Sequence, residues 1–260
     1  MNKELRVLFY KFDMRKVTVI LGYYVFFVSF CFGQGSGVVS YSIKRDYSKM
    51  YAAVDYISKA DRERQAYTWG GSRTYDSKAE IKFNESAYRF EYIDDSDGAT
   101  YKWRQEDYII YRNREAGECF DVFSLLDKEY VIQDSIICQH WKIKNDMKEV
   151  AGHICMNAMF YDSIKGKEVM AWFALDLPVP LGPNRYCGLP GMILEINEAN
   201  GALVYTATSV VLSDENLEIE KPVIKKGRKN ITNEEYNKKI ADYIKECKKM
   251  QRPYFFGISF

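Results

Sequence analysis

Histidine is nearly missing from this 260-residue chain, which has two, His140 and His153. A Ser-His-Asp or Cys-His hydrolase would have to use one of them. No Gly-x-Ser-x-Gly elbow occurs, and no cysteine stands in a recognisable nucleophile setting. His-Glu-x-x-His, the phosphate-cradling loop and the Gly-x-Gly-x-x-Gly fingerprint are also missing, so the common zinc-protease, nucleotide and dinucleotide chemistries have no local signature. No pair of the six cysteines is spaced Cys-x-x-Cys, which removes that redox or zinc motif. Surplus charge is lacking too: 37 Lys and Arg face 36 Asp and Glu, so nothing draws nucleic acid in general. Internal repeats and low-complexity tracts are absent.

Long apolar runs are scarce. The uncharged run Val17 to Phe32 is interrupted by Gly22 and Ser29, and it falls short of the roughly 20 residues of a spanning helix. It follows Lys3, Arg6, Lys11, Arg15 and Lys16 and ends in Cys31-Phe32-Gly33, the layout of a cleavable export signal with a small residue at the cut. Cleavage is expected between Gly33 and Gln34, leaving residues 34–260 as one domain with no spanning helix. A retained anchor and a lipidated Cys31 are the alternatives. Five and two of the basic and acidic residues lie in the removed segment, so the mature chain stays near neutral. Five cysteines survive: Cys119, Cys138, Cys155, Cys187 and Cys247. Thiols pair outside the cytoplasm, so two bridges and a free Cys247 is the simplest division.

Strand patterning is plentiful. β-Branched and aromatic residues interleave with polar ones over 38–45, and strand-like runs recur at 78–84, 88–93, 108–112, 119–126, 130–137, 141–144, 154–162 and 168–174. The stretch 47–64 has no clean period and reads as helix or long loop. Met192 to Ile196 and Ala202 to Leu212 form a hairpin around Asn200-Gly201, with Met192, Leu194 and Ile196 on the core face. Short strands with tight turns imply a mainly β, α+β fold: a curved, half-barrel-like antiparallel sheet.

The tail differs. Residues 221–252 hold eleven Lys or Arg and four Asp or Glu. Thr232 to Glu235 is a capping box, and Tyr236, Ile240, Tyr243, Ile244 and Cys247 share one side of the amphipathic C-terminal helix it opens. Such a stripe more commonly packs on the protein's own sheet than on a membrane or partner.

Metal chemistry has two weak candidates. His153, Cys155 and Met156 would suit copper, but on a strand Met156 points away from the other two. Asp95-x-Asp97-Gly98 resembles part of a calcium loop without its closing Glu, and reads as a turn. No metal or cofactor is expected. The 21 Tyr and four Trp lean the reading toward binding.

The most specific stretch runs Trp172 to Ile196, with Ala171-Trp172-Phe173, an apolar proline segment, Gly182-Pro183, and Gly188-Leu189-Pro190-Gly191 before Ile193-Leu194-Glu195. Together with Ala151-Gly152-His153-Ile154-Cys155-Met156-Asn157-Ala158 it resembles the GLPGLI family, with Met192 in place of the family's Leu. The resemblance covers about 141–212. It implies a secreted protein of the Bacteroidetes envelope, often encoded near TonB-dependent outer-membrane transporters, with no established activity. Physically, Pro190 and a positive φ at Gly191 make Leu189 to Met192 a type II turn feeding a core strand. A recognition surface would comprise Gly182, Pro183, Arg185, Tyr186, Gly188, Leu189, Pro190 and Gly191. Both Cys155 and Cys187 lie within the stretch of resemblance, and a bond between them would tie the turn to the sheet; Cys155 with Cys138 is the competing pair.

Three functional readings follow. The first is a non-catalytic accessory or binding protein of the periplasm or outer-membrane inner face, with an outer-membrane transporter or a hydrophobic ligand as partner. The second is an envelope hydrolase using carboxylates, and the third a lipid or lipoprotein carrier. A filled core, two facing buried carboxylates, or an aliphatic-lined cavity would separate them. N-terminal sequencing of the exported protein should find Gln34 as the first residue. A mature form beginning at Met1 would contradict the export reading.

Overall fold

The computed structural model describes residues 35–68, 74–93, 108–126, 128–224 and 227–260. The export segment with its cleavage point and the turn at 94–98 lie outside the described residues. The strands, several of them marked by alternating burial, are β1 (Ser36–Asp46), β2 (Thr74–Phe83), β3 (Ala87–Ile93), β4 (Ile109–Asn113), β5 (Glu118–Leu125), β6 (Lys128–Ser135), β7 (Lys142–Val150), β8 (His153–Asp162), β9 (Lys167–Ala174), β10 (Met192–Glu198), β11 (Leu203–Ser213) and β12 (Lys229–Ile231). They form one open twelve-stranded sheet in the order β12-β6-β5-β4-β3-β2-β1-β11-β10-β9-β8-β7. Every pairing is antiparallel except β12 with β6, which is parallel. The fold is mainly β, as the strand patterning predicts.

Among the described residues three α-helices accompany the sheet: α1 (Tyr47–Ala53), α2 (Lys59–Thr68) and α3 (Asn233–Lys249). The aperiodic stretch 47–64 thus resolves into two short helices. Asp46 caps α1 by accepting from Lys49 N, and Ser58 accepts from Asp61 N at the start of α2. The capping box at Thr232 and Glu235 is present in α3. Ile240 and Cys247 are buried, and Tyr236, Tyr243 and Ile244 pack against the core, so the helix covers the protein's own sheet. Among the described residues no helix is long and apolar enough to cross a membrane.

The sheet cannot lie flat. β6 and β7 stand ten places apart, which at about 4.8 Å per strand is roughly 48 Å. The chain joins them through residues 136–141, a link that can reach only about 25 Å. The sheet therefore curls, and one core draws on strands along its whole width, from Ile132 on β6 to Val150 on β7. A small second cluster of Phe120, Val122 and Val131 sits on the opposite face of β5 and β6.

Two local expectations need correction. β7 extends well past 144 because, as the sheet's edge, it is exposed along most of its length and has no apolar alternation to reveal it. An irregularity between Ile143 and Met147 breaks its register, and Asp146 there accepts from Asn157 Nδ2 at 3.0 Å. The turn at Leu189 to Met192 also differs: the positive φ, 91°, belongs to Gly188 and not to Gly191. Gly191 is required for another reason. A Cβ on it would lie 1.9 Å from the carbonyl oxygen of Ala174, so the loop can seat on the end of β9 only without a side chain. Gly191→Ala should therefore cost on the order of 1–3 kcal/mol in urea unfolding. A variant as stable as the parent would contradict this close approach.

Candidate functional site

Residues 175–191 link β9 to β10 and cover the interior of the curled sheet. Three contacts hold this loop to the β6–β7 link. Gln139 accepts from Cys187 N at 3.1 Å and donates to the Arg185 carbonyl at 3.2 Å, and Trp141 Nε1 donates to the Cys187 carbonyl at 2.8 Å. These contacts set Cys138 beside Cys187, and the two form a disulfide across a Cα–Cα distance of 5.1 Å. The expected Cys155–Cys187 bond is thus wrong, as is its Cys155–Cys138 competitor. Cys155 sits within the sheet, paired in register with Lys148 and Ala174, and remains a buried free thiol. Burial, with Asp176 adding to it, pushes that thiol up to about 11. Cys119 and Cys247 are also free and buried, so one bridge forms among the described residues, not two.

Among the described residues the interior holds two buried ion pairs, one on each half of the sheet. Asp121 of β5 is fully buried and takes two hydrogen bonds from Arg112 of β4, one of them 3.0 Å from Nη2 to Oδ2. On the other half, Lys167 of β9 meets Glu198 of β10, with exposures of 4% and 1%. Burial pulls the Lys167 ammonium from 10.5 down to about 8, against the opposing pull of Glu198. Burial likewise lowers the Arg112 guanidinium.

Two consecutive loop residues reach these pairs in opposite directions. Arg185 Nε lies 3.1 Å from Asp121 Oδ2, its Nη2 bonds Asn233 at the start of α3, and its guanidinium lies 4.6 Å from the Tyr236 ring centre. Tyr186 donates its hydroxyl to Glu198 Oε1 at 2.8 Å, and burial beside that carboxylate holds the phenol far above its usual range. The Arg185–Tyr186 dipeptide therefore staples the two halves together. Of the other motif residues, Gly182, Pro183, Leu189 and Gly191 are buried, and Gly188 and Pro190 are exposed.

Beside the staple is a pocket of about 210 Å³. Arg185, Tyr186, Asn184, Asp162 and Lys165 line it, with Phe160 and Tyr236 as aromatic walls. Residues outside the motif thus complete the site, and the sequence marks none of them as site residues, Tyr236 standing out only as part of the helix stripe. His153 lies elsewhere, 2.7 Å from Asp176, and His140 is exposed. Among the described residues no group of three His, Cys, Asp or Glu could hold a metal ion.

Comparison with known proteins places this loop in the region of similarity. A family model described as "Protein of unknown function (Porph_ging)" matches residues 162–195, from the end of β8 to β10. No curated protein matches. A crystal structure of PNGF-II in a P21 form is similar at a TM-score of 0.50 and 15% identity, over 79% of this chain and 33% of that one. A C2 form of PNGF-II gives 0.47 and 15%, over 79% and 32%. This chain thus spans about a third of PNGF-II, and the likeness concerns the fold alone.

Two outcomes follow. Replacing Cys138 and Cys187 with Ala should cost about 4 kcal/mol, since the bond closes a loop of 49 residues. Unfolding under reducing and non-reducing conditions measures it, and equal stability in the two would contradict the bond. Lys167→Met should cost about 3–5 kcal/mol by stranding Glu198, and adding Glu198→Gln should recover most of that. Because the folded value of Lys167 lies below 10.5, the unfolded state binds more protons between about pH 8 and 10.5. The wild type should therefore gain stability on the double variant as pH rises through that window. A difference independent of pH would contradict the buried charge.

Proposed function

We propose that the protein is an exported binding protein of the envelope, acting in the periplasm or at the periplasmic face of the outer membrane, without catalysis of its own. In this reading the curled sheet is a half-barrel, its interior is filled, and the 175–191 loop closes it with a rigid recognition platform. The observation that supports it is the placement of Arg185 and Tyr186. Each is anchored to a buried ion pair, and both line the same pocket. A site fixed in this way loses little entropy when it binds, which is what a recognition surface needs.

The carrier and hydrolase readings are less well supported. A cavity of about 210 Å³ with aromatic and charged walls is small against the roughly 300–1,000 Å³ of common ligand clefts. It does not suit an acyl chain. The two fully buried carboxylates among the described residues, Asp121 and Glu198, are each paired with a buried cation, an arrangement that favours structure over proton transfer.

The partner proposed from the family resemblance is an outer-membrane transporter of the TonB-dependent type. A photo-crosslinking residue at Asn237, exposed on the pocket rim, tests it in the native envelope. The expected product is an adduct with an outer-membrane β-barrel, formed from Asn237 and not from Lys59 on α2. Recovery of the protein in the cytoplasm, or equal labelling from both positions, would overturn the reading.

A further inference from the structure

The charges around the pocket do not balance. Arg112 and Arg185 share one carboxylate, Asp121, whose Oδ2 serves both. This leaves one positive charge in a largely buried cluster. Arg185 carries it to the pocket wall with its side chain 22% exposed. Its Nε and Nη2 are engaged by Asp121 and Asn233, and Nη1 makes no hydrogen bond with the protein among the described residues. Tyr236 beneath and Asn233 beside it fix the plane of the guanidinium, so a donor of defined direction is held ready for an anion.

A second group in the same pocket lacks a partner. Asn184 spends its Nδ2 on Tyr205 at 3.3 Å, while its Oδ1 is buried without any hydrogen bond. That oxygen is closed to solvent, so the acceptor open to a ligand on this wall is a different one. Asp162 adds an acceptor on the same lining. Its Oδ1 holds the backbone of Ile164 and Lys165 at 3.0 Å each, closing the β8–β9 turn. Lys165 is occupied with the main-chain oxygen of Phe260 at 2.9 Å. The volume, about 210 Å³, holds roughly seven waters at about 30 Å³ each, the size of one small organic molecule.

We propose that this pocket binds a small carboxylate that also carries an amine or hydroxyl donor beside the carboxyl group. The carboxylate sits on Arg185 Nη1, the donor on the Asp162 carboxylate, and an apolar tail lies against Phe160 and Tyr236. The proposal rests on the reading above that the pocket beside the motif loop is the binding site, and it names the ligand class for that site.

Calorimetry with four matched probes on the mature protein tests it: L-phenylalanine, L-phenyllactate, 3-phenylpropionate and phenyllactamide. Phenylalanine or phenyllactate should bind at least tenfold more tightly than phenylpropionate, which lacks the donor, and phenyllactamide, which lacks the charge. Preference for phenylalanine assigns the donor to an amine drawn by Asp162, and preference for phenyllactate to a hydroxyl. Arg185→Gln should weaken the preferred probe at least tenfold, as loss of a charged hydrogen bond does. Arg185→Lys keeps the charge beside Asp121 and should restore part of that affinity, which guards against a variant that merely fails to fold. If phenyllactamide binds as well as phenyllactate, the anion assignment is wrong while the pocket remains a binding site. If no probe binds at about 10 mM the ligand class is wrong, and if the Asn237 adduct is missing as well, the binding reading fails with it.

Discussion

Six residues, 136–141, carry the chain from β6 to the opposite edge of a twelve-stranded sheet, and the sheet must curl because they are too few to cross it flat. The curl creates an interior that two distant stretches of strand share. It also brings the link itself against the 175–191 loop, where Gln139 and Trp141 bind the backbone of Arg185 and Cys187. The Cys138–Cys187 bond locks a meeting that the topology has already imposed.

An interior built this way could have been wholly apolar. It holds instead Arg112 with Asp121 on one half and Lys167 with Glu198 on the other. Buried pairs of this kind contribute little net stability over hydrophobic replacements, but leaving one partner alone is costly. They make the position of the loop definite, since Arg185 and Tyr186 satisfy one pair each. An oily contact would tolerate sliding, whereas two directional contacts pointing opposite ways do not. The pocket inherits this definition, and its surplus positive charge is a consequence of serving Asp121 with two guanidinium groups.

Much of the architecture was legible in the sequence. Strand-like residue patterns mark eleven of the twelve strands, at least in part, and the capping box locates α3. What escaped notice had weak local signals: β12 is three residues long, and β7 is a polar edge. The motif loop is visible, but Gly191 is needed for close approach to Ala174 and not for a positive φ, a tertiary fact that no turn rule contains. The disulfide partner of Cys187 is hidden in the sequence for a similar reason. Cys138 lies outside the stretch of resemblance, and only the crossing of the β6–β7 link brings it to Cys187. The buried pairs left one faint trace, a lone Asp121 inside the apolar run Cys-Phe-Asp-Val-Phe. Its partners Arg112 and Arg185 are nine and 64 residues away, so pairing could not be read from spacing.

The central claim is that the 175–191 loop is rigid because Asp121 holds Arg185 across the curled sheet. Amide hydrogen exchange of the wild type beside Asp121→Asn tests it most directly. The account predicts slow exchange at Tyr186, Gly188 and Ile193 in the wild type, whose amides bond to Pro183, Pro180 and Leu181 oxygens. In the variant, exchange at Tyr186 and Gly188 should become markedly faster while the β1–β2 ladder stays protected. Unchanged loop protection in a variant that has lost the Asp121 charge would contradict it.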